Sequence, residues 1–146
     1  MKKYFDKIYC INLSHRVDRW EESLIEFKKL GIQNDVERFE AYNIQPGIIG
    51  CTRSHYEIVK IAKENNYKNV LIFEDDVKIL HDESLSYRID SNLGKLHQCK
   101  TTHAYIINSR AYDYIINTYD NINWNDPWNW SQANESRYNI DKWYTT

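Results

Sequence analysis

Cysteine, proline and glycine are all scarce in this 146-residue chain, at three, two and four residues. Cys10, Cys51 and Cys99 are odd in number and far apart, which excludes a disulfide framework and lacks the paired spacing of a zinc site. They read as reduced thiols that fill space. No low-complexity linker and no internal repeat is present. An excess of one charge is also missing: nineteen basic residues against twenty-one acidic ones give a formal charge of −2. That balance offers no global attraction to nucleic acid or to an anionic membrane, so any bound anion must be held locally. Long apolar runs are absent too. The stretch after Met1-Lys2-Lys3 is broken by Asp6, Lys7 and Asn12, which is too short and too polar for a signal peptide or a transmembrane segment. A cytoplasmic chain is expected.

What is present is 42% hydrophobic residues, enough for one core, so residues 1–146 are expected to form a single domain. Lys7–Leu13 is an apolar, strand-prone run suited to a buried parallel strand. After a loop at Ser14–Val17, Asp18 with Glu21 resembles a capping box. Trp20, Leu24, Phe27 and Leu30 then recur on one helical face, and Gly31 offers a C-cap. Val36–Tyr42 alternates as a strand, and Pro46, Gly47 and Gly50 mark a turn. A helix is predicted from Thr52, with His55, Ile58, Ile61 and Ala62 on one face and Asn65-Asn66 at its end. Asn69–Phe73 is a buried strand that runs into Glu74-Asp75-Asp76. The order βαβαβ predicts an α/β fold with a mostly parallel sheet flanked by helices. A helix between His81 and Lys100 is left open, His103–Asn108 reads as a strand, and Ser109 is expected to cap a helix through Tyr119.

In a parallel sheet, ligands bind outside the carboxyl ends of strands, and Glu74-Asp75-Asp76 stands at such an end. Alternation along a strand puts Glu74 and Asp76 on one face and Asp75 on the other. Leaving even one buried carboxylate unpaired costs several kcal/mol, so a positive partner is expected. A divalent cation, Mn²⁺ or Mg²⁺, takes carboxylates plus substrate phosphates and would neutralise a departing diphosphate. The alternative is a helix cap or lysine pairing on a solvated edge. The abrupt passage from Val70-Leu71-Ile72-Phe73 to three acids and back to Val77 speaks against it.

Gly50-Cys51-Thr52-Arg53-Ser54-His55, followed by Val70–Val77 with its Glu-Asp-Asp, resembles the Gly-Cys-x-x-Ser-His and Glu-Asp-Asp motifs of glycosyltransferase family 25. Asn12, Leu13, Arg16, Asp18 and Arg19 match the family's opening Asn-Leu-x-x-Arg-x-Asp-Arg pattern, and Thr101–Asn108 and Ile140-Asp141 continue the likeness. The resemblance implies a GT-A-like, Rossmann-like fold with a nucleotide-sugar-binding half over residues 1–80 and a shortened acceptor-side half over 81–146. It further implies a UDP-sugar donor, Mn²⁺, and transfer of a hexose, galactose or glucose, to a glycan or hydroxylated acceptor, as in lipopolysaccharide or collagen glycosylation. The alternative is a catalytically inactive nucleotide-sugar-binding domain of the same fold. A Mg²⁺-dependent phosphatase with a strand-end aspartate nucleophile lacks the threonine and lysine partners such a site needs.

The expected roles follow. Asp76 and Asp75 hold the metal, Asp75 also standing at the chemistry, and Glu74 joins them at the cofactor. Asn12, Leu13, Arg16 and Arg19 line the donor, a guanidinium suiting a phosphate or a uracil carbonyl. The alternative for Arg16 is a surface pair with Glu22 or Glu26; Asp18 is assigned to helix capping. Thr52 and Ser54 are expected to open a helix whose unpaired amides face donor phosphates. His55, beside them, is either a donor-site residue or a satisfied core histidine. Asp141 is the candidate base for the acceptor hydroxyl, with His103 and Asp126 as competitors and a helix cap before Lys142-Trp143 as the alternative. Trp124, Trp128 and Trp130, among asparagines, would offer sugar-stacking faces or close the edge of the core.

Overall fold

A computed structural model describes residues 4–79 and 103–124. Four strands, β1 (Lys7–Asn12), β2 (Val36–Glu40), β3 (Asn69–Glu74) and β4 (Ala104–Asn108), form one sheet in the order β2-β1-β3-β4. The first three are parallel and β4 runs antiparallel to β3. Three α-helices accompany them: α1 (Val17–Lys29), α2 (Gly47–Glu64) and α3 (Tyr112–Asp120), the last preceded by a 3₁₀ turn at Ser109–Ala111. The predicted mixed α/β order with a mostly parallel sheet is what the chain adopts.

From β1 the chain steps to β2 on one side, then back across β1 to β3 on the other. Crossovers of the same hand therefore lay α1 and α2 on opposite faces of the sheet. Side-chain alternation divides the core accordingly. Ile8, Cys10, Leu71 and Phe73 pack against Phe27 of α1, whose ring lies 5.0 Å from that of Phe73. Tyr9, Ile11, Val70, Ile72, Tyr105 and Ile107 pack against Tyr56, Ile58, Val59 and Ala62 of α2 and Ile115 of α3. A side chain such as the fully enclosed Phe27 contributes roughly 1.5–3 kcal/mol by leaving water.

The helix ends follow their local chemistry. Gly31 adopts φ +66°, the Gly31 amide donates to Lys28 O, and the Ile32 amide donates to Phe27 O. This paired closure buries Ile32 beside Phe27. Asn66, at φ 57°, ends α2 in the same way, with Tyr67 N donating to Ala62 O. The starts differ from expectation. Arg16 is the N-cap of α1 without a side-chain cap bond, and Asp18 pairs with Arg16 instead of capping. At the 3₁₀ turn it is Asn108, not Ser109, whose side chain accepts the Arg110 amide.

The largest correction concerns α2. It opens at Gly47, with Pro46 as N-cap, five residues before Thr52. Pro46 supplies the preset φ that suits a helix entry, here −68°, and the turn residues read from the sequence become the first turn itself. Gly50 consequently lies inside the helix, where an ideal Cβ would stand 2.1 Å from Tyr42 O. Only glycine lets the loop after β2 press so closely on α2.

Candidate functional site

The point where successive crossovers diverge lies between β1 and β3; open α/β sheets bind ligands in the crevice outside the carboxyl ends of strands at such a point. Ile11 pairs with Glu74 there, so Asn12 and Asp75 face each other just beyond the last rung. The strand faces then sort the acids. Glu74 continues the Val70–Ile72 side toward α2, while Asp75 continues the Leu71–Phe73 side toward α1.

On the α2 side, His55 is fully buried, and its Nε2 meets Glu74 Oε1 at 3.1 Å while Nδ1 meets the Tyr105 hydroxyl at 2.7 Å. A carboxylate only accepts, so Nε2 donates to Glu74 and Nδ1 accepts from Tyr105. His55 is thus an enclosed, satisfied histidine, as the second reading has it, and one of its two bonds is to Glu74. His103 arrives because β4 is antiparallel, which brings its start beside the end of β3. The Glu74 amide donates to His103 O at 3.0 Å. His103 Nδ1 lies 2.7 Å from Asp76 Oδ1, and both side chains are open to solvent. Glu74, Asp76 and His103 together offer three ligand atoms within 4.8 Å of one another.

On the α1 side, Asp75 Oδ2 accepts from Asn12 Nδ2 at 2.6 Å, and Arg19 Nη1 stands 3.9 Å from Asp75 Oδ1. Asn12 Nδ2 also donates to Arg16 O, and Asn12 Oδ1 accepts from Arg38. The Arg38 guanidinium reaches on to Leu13 O and Ser14 O and lies 5.5 Å from the centre of the Trp20 ring. One cation therefore fixes the loop after β1. The single Ser23 Oγ hydrogen lies between two acceptors, Arg19 O at 2.9 Å and the Asp75 carbonyl at 3.2 Å, which sets α1 against the acidic turn. Below it the Cys10 thiol is pushed up to about 12, by burial first and then by the charge of Asp75.

Several expected roles change. Asp75 belongs to the Asn12–Arg19 side, and it and Asp76 lie in the turn that follows β3. Among the described residues Asp76 groups with Glu74 and His103 instead. Asn12 is 1% exposed with its amide engaged at both ends, so it positions Asp75 and the loop rather than meeting a ligand. Leu13 contributes its carbonyl, which also accepts from the Arg16 amide. Arg16 pairs at 2.7 Å with Asp18, whose carboxyl it holds at about 2, and not with Glu22 or Glu26. Those two bind Lys78 and Lys29. Thr52 and Ser54 are buried within α2, so the premise of free helix-start amides around them fails. Ser54 Oγ donates to Gly50 O and accepts from Tyr42 N, clamping the loop after β2 to the helix. Arg19 remains partly exposed beside Asp75. Asp141, Asp126, Trp128, Trp130 and Trp143 lie outside the described residues, as does the open question of a helix over 81–100.

Arg38 and Tyr105 escaped the sequence reading. The available signal for Arg38 was a cation at an inward position of β2, opposite Cys10; for Tyr105 it was a hydroxyl on an otherwise apolar strand face.

Comparison with known proteins follows the same residues. The family model described as Glycosyltransferase family 25 (LPS biosynthesis protein) matches residues 43–98, which hold α2, β3 and the acidic turn. Over that stretch the chain is similar to glycosyltransferase family 25. Two curated relatives, Procollagen galactosyltransferase 1-A and 1-B of Xenopus laevis, are each 32% identical over 103 residues. The matched region covers 53% of this chain and 17% of either relative, so the family 25-like chain spans a small part of their length. No helix among its described residues is long and apolar enough to cross a membrane.

Proposed function

We propose that this family 25-like chain binds a UDP-sugar through a divalent cation held by Glu74, Asp76 and His103, and transfers the hexose to a glycan or hydroxylated acceptor. The carrying observation is the convergence of those three side chains at the carboxyl end of β3, beside the β1–β3 switch point. Two carboxylates and an imidazole fit a divalent ion, and the imidazole favours Mn²⁺ over the oxygen-demanding Mg²⁺. When bound, the ion would supply positive charge to the departing diphosphate.

The chain's own residues supply the rest. Arg19, beside Asp75 and partly exposed, is placed for a donor phosphate. Arg38 and Asn12 hold the loop that ends at Arg16 and leads into α1, which carries Arg19, and His55 with Tyr105 holds Glu74. Asp141 stays the proposed base for the acceptor hydroxyl.

Calorimetric titration of UDP and UDP-sugars with and without Mn²⁺ tests the reading, on wild type and Asp76→Ala. Binding is expected to need Mn²⁺ and to weaken at least about tenfold in the variant, equivalent to about 1.4 kcal/mol. Equal, metal-independent binding by both proteins would refute it. Binding with neither transfer nor donor hydrolysis would identify the inactive donor-binding domain.

A further inference from the structure

A second set of ligand atoms lies one layer beneath the first. Cys51, His55 and Glu74 also bring three donor atoms within 4.8 Å of one another, and Glu74 belongs to both sets. We propose that Cys51, His55 and Glu74 form a distinct site for a thiophilic divalent cation, Zn²⁺, and that its occupation draws Glu74 away from Asp76 and His103.

Cys51 and His55 are four residues apart on α2, so both project from one helical face toward the end of β3. His55 Nε2 and Glu74 Oε1 stand 3.1 Å apart. Two ligands at about 2.0–2.1 Å from a tetrahedral zinc are roughly 3.3 Å apart, so an ion fits between them with little movement. A thiolate and an imidazole on the same ion are roughly 3.6 Å apart, so the Cys51 sulfur has at most about 1.2 Å to close. The outer partner is already built: Tyr105 lies on Nδ1, where a ligating histidine takes its orienting hydrogen bond. On binding, the thiol releases its proton to solvent and the imidazole proton moves from Nε2 to Nδ1, which then donates to the Tyr105 oxygen. Cys51 is half-buried and reachable, while the fully buried Cys10 packs on the opposite face of the sheet.

Thiolate and imidazole select Zn²⁺ over Mn²⁺ and Mg²⁺. The spacing of the three cysteines conceals such a site because two of its ligands are not cysteine and one comes from another element. The competition for Glu74 rests on the donor-site reading above, whereas the zinc site itself does not.

Cobalt(II) serves as the probe, added to the full-length chain without nucleotide. Wild type is expected to show tetrahedral d–d bands and a near-ultraviolet thiolate-to-cobalt band, both displaced by one equivalent of Zn²⁺. Cys51→Ser should lose the thiolate band, and Asp76→Asn, which disables only the other cluster, should keep it. A thiolate band that persists in Cys51→Ser, that is absent from wild type, or that disappears in Asp76→Asn would overturn the proposal. Labelling of the wild-type Cys51 thiol by iodoacetamide, followed by peptide mass spectrometry, needs no variant. Zn²⁺ at about ten times its dissociation constant should slow it about tenfold, and Mg²⁺ should not. Unchanged labelling with Zn²⁺ would likewise overturn the site. Loss of Mn²⁺-dependent UDP binding in Asp76→Asn, with the cobalt bands intact, separates the two sites.

Discussion

Replacing Gly50 by alanine tests why the Gly-Cys-x-x-Ser-His motif opens with glycine. An added Cβ would stand 2.1 Å from Tyr42 O, 3.1 Å from Ile44 N and 3.2 Å from Tyr42 C. All three are backbone atoms, so no side-chain rotation relieves the clash. The loop must move by about 1.3 Å to reach ordinary contact at 3.4 Å. Overpacking of this kind costs about 1–3 kcal/mol. The movement also strains the bond from Tyr42 N to Ser54 Oγ, worth a further ~0.5–1.5 kcal/mol. A total of about 2–4 kcal/mol is a large share of the roughly 5–15 kcal/mol that holds such a domain. Gly47→Ala is the internal control, because nothing lies within 4 Å of its added Cβ and no positive φ is required. It should leave stability unchanged or raise it by up to about 1 kcal/mol. Urea unfolding followed by circular dichroism at constant m-value gives both numbers. Equal midpoints for the two variants would refute the close-approach argument.

Two further outcomes follow from buried and capping groups. Tyr112 is buried with no hydrogen-bond partner for its hydroxyl among the described residues, and burial pushes that hydroxyl up to about 12. Tyr112→Phe should therefore stabilise the chain by about 1 kcal/mol, visible as a higher thermal midpoint, and a lower midpoint would show that the hydroxyl has a partner. The Asp6 carboxylate accepts from the amides of Asn69 and Lys68, which hold its carboxyl below the ordinary value of 3.8. Its contribution is fully present above that value and is lost as pH falls through the lower folded value. The stability gap between wild type and Asp6→Ala should stay constant at neutral pH and shrink only in the acid range. A gap that narrows between pH of about 8 and 6 would contradict this.

Much of the architecture is written locally. Continuous apolar runs define the central strands β1 and β3, Gly31 and Asn66 supply the left-handed residues that end α1 and α2, and the passage from Phe73 to three acids marks a strand end. The expected parting of Glu74 and Asp76 from Asp75 holds, although β3 ends at Glu74 and the turn after it carries both aspartates. The start of α2 was not legible, because a turn containing proline and glycine reads as loop until Tyr42 and Ser54 close it onto the helix. Nor could the chain order show that β4 is antiparallel and so brings His103 to Asp76, 27 residues away. Arg38 at Asn12 and Tyr105 at His55 were hidden for the same reason. Composition, period and capping act between neighbours, and the sequence alone determined them. The ligand sets join residues from separate elements, and only strand order and register in the folded sheet decided which of them meet.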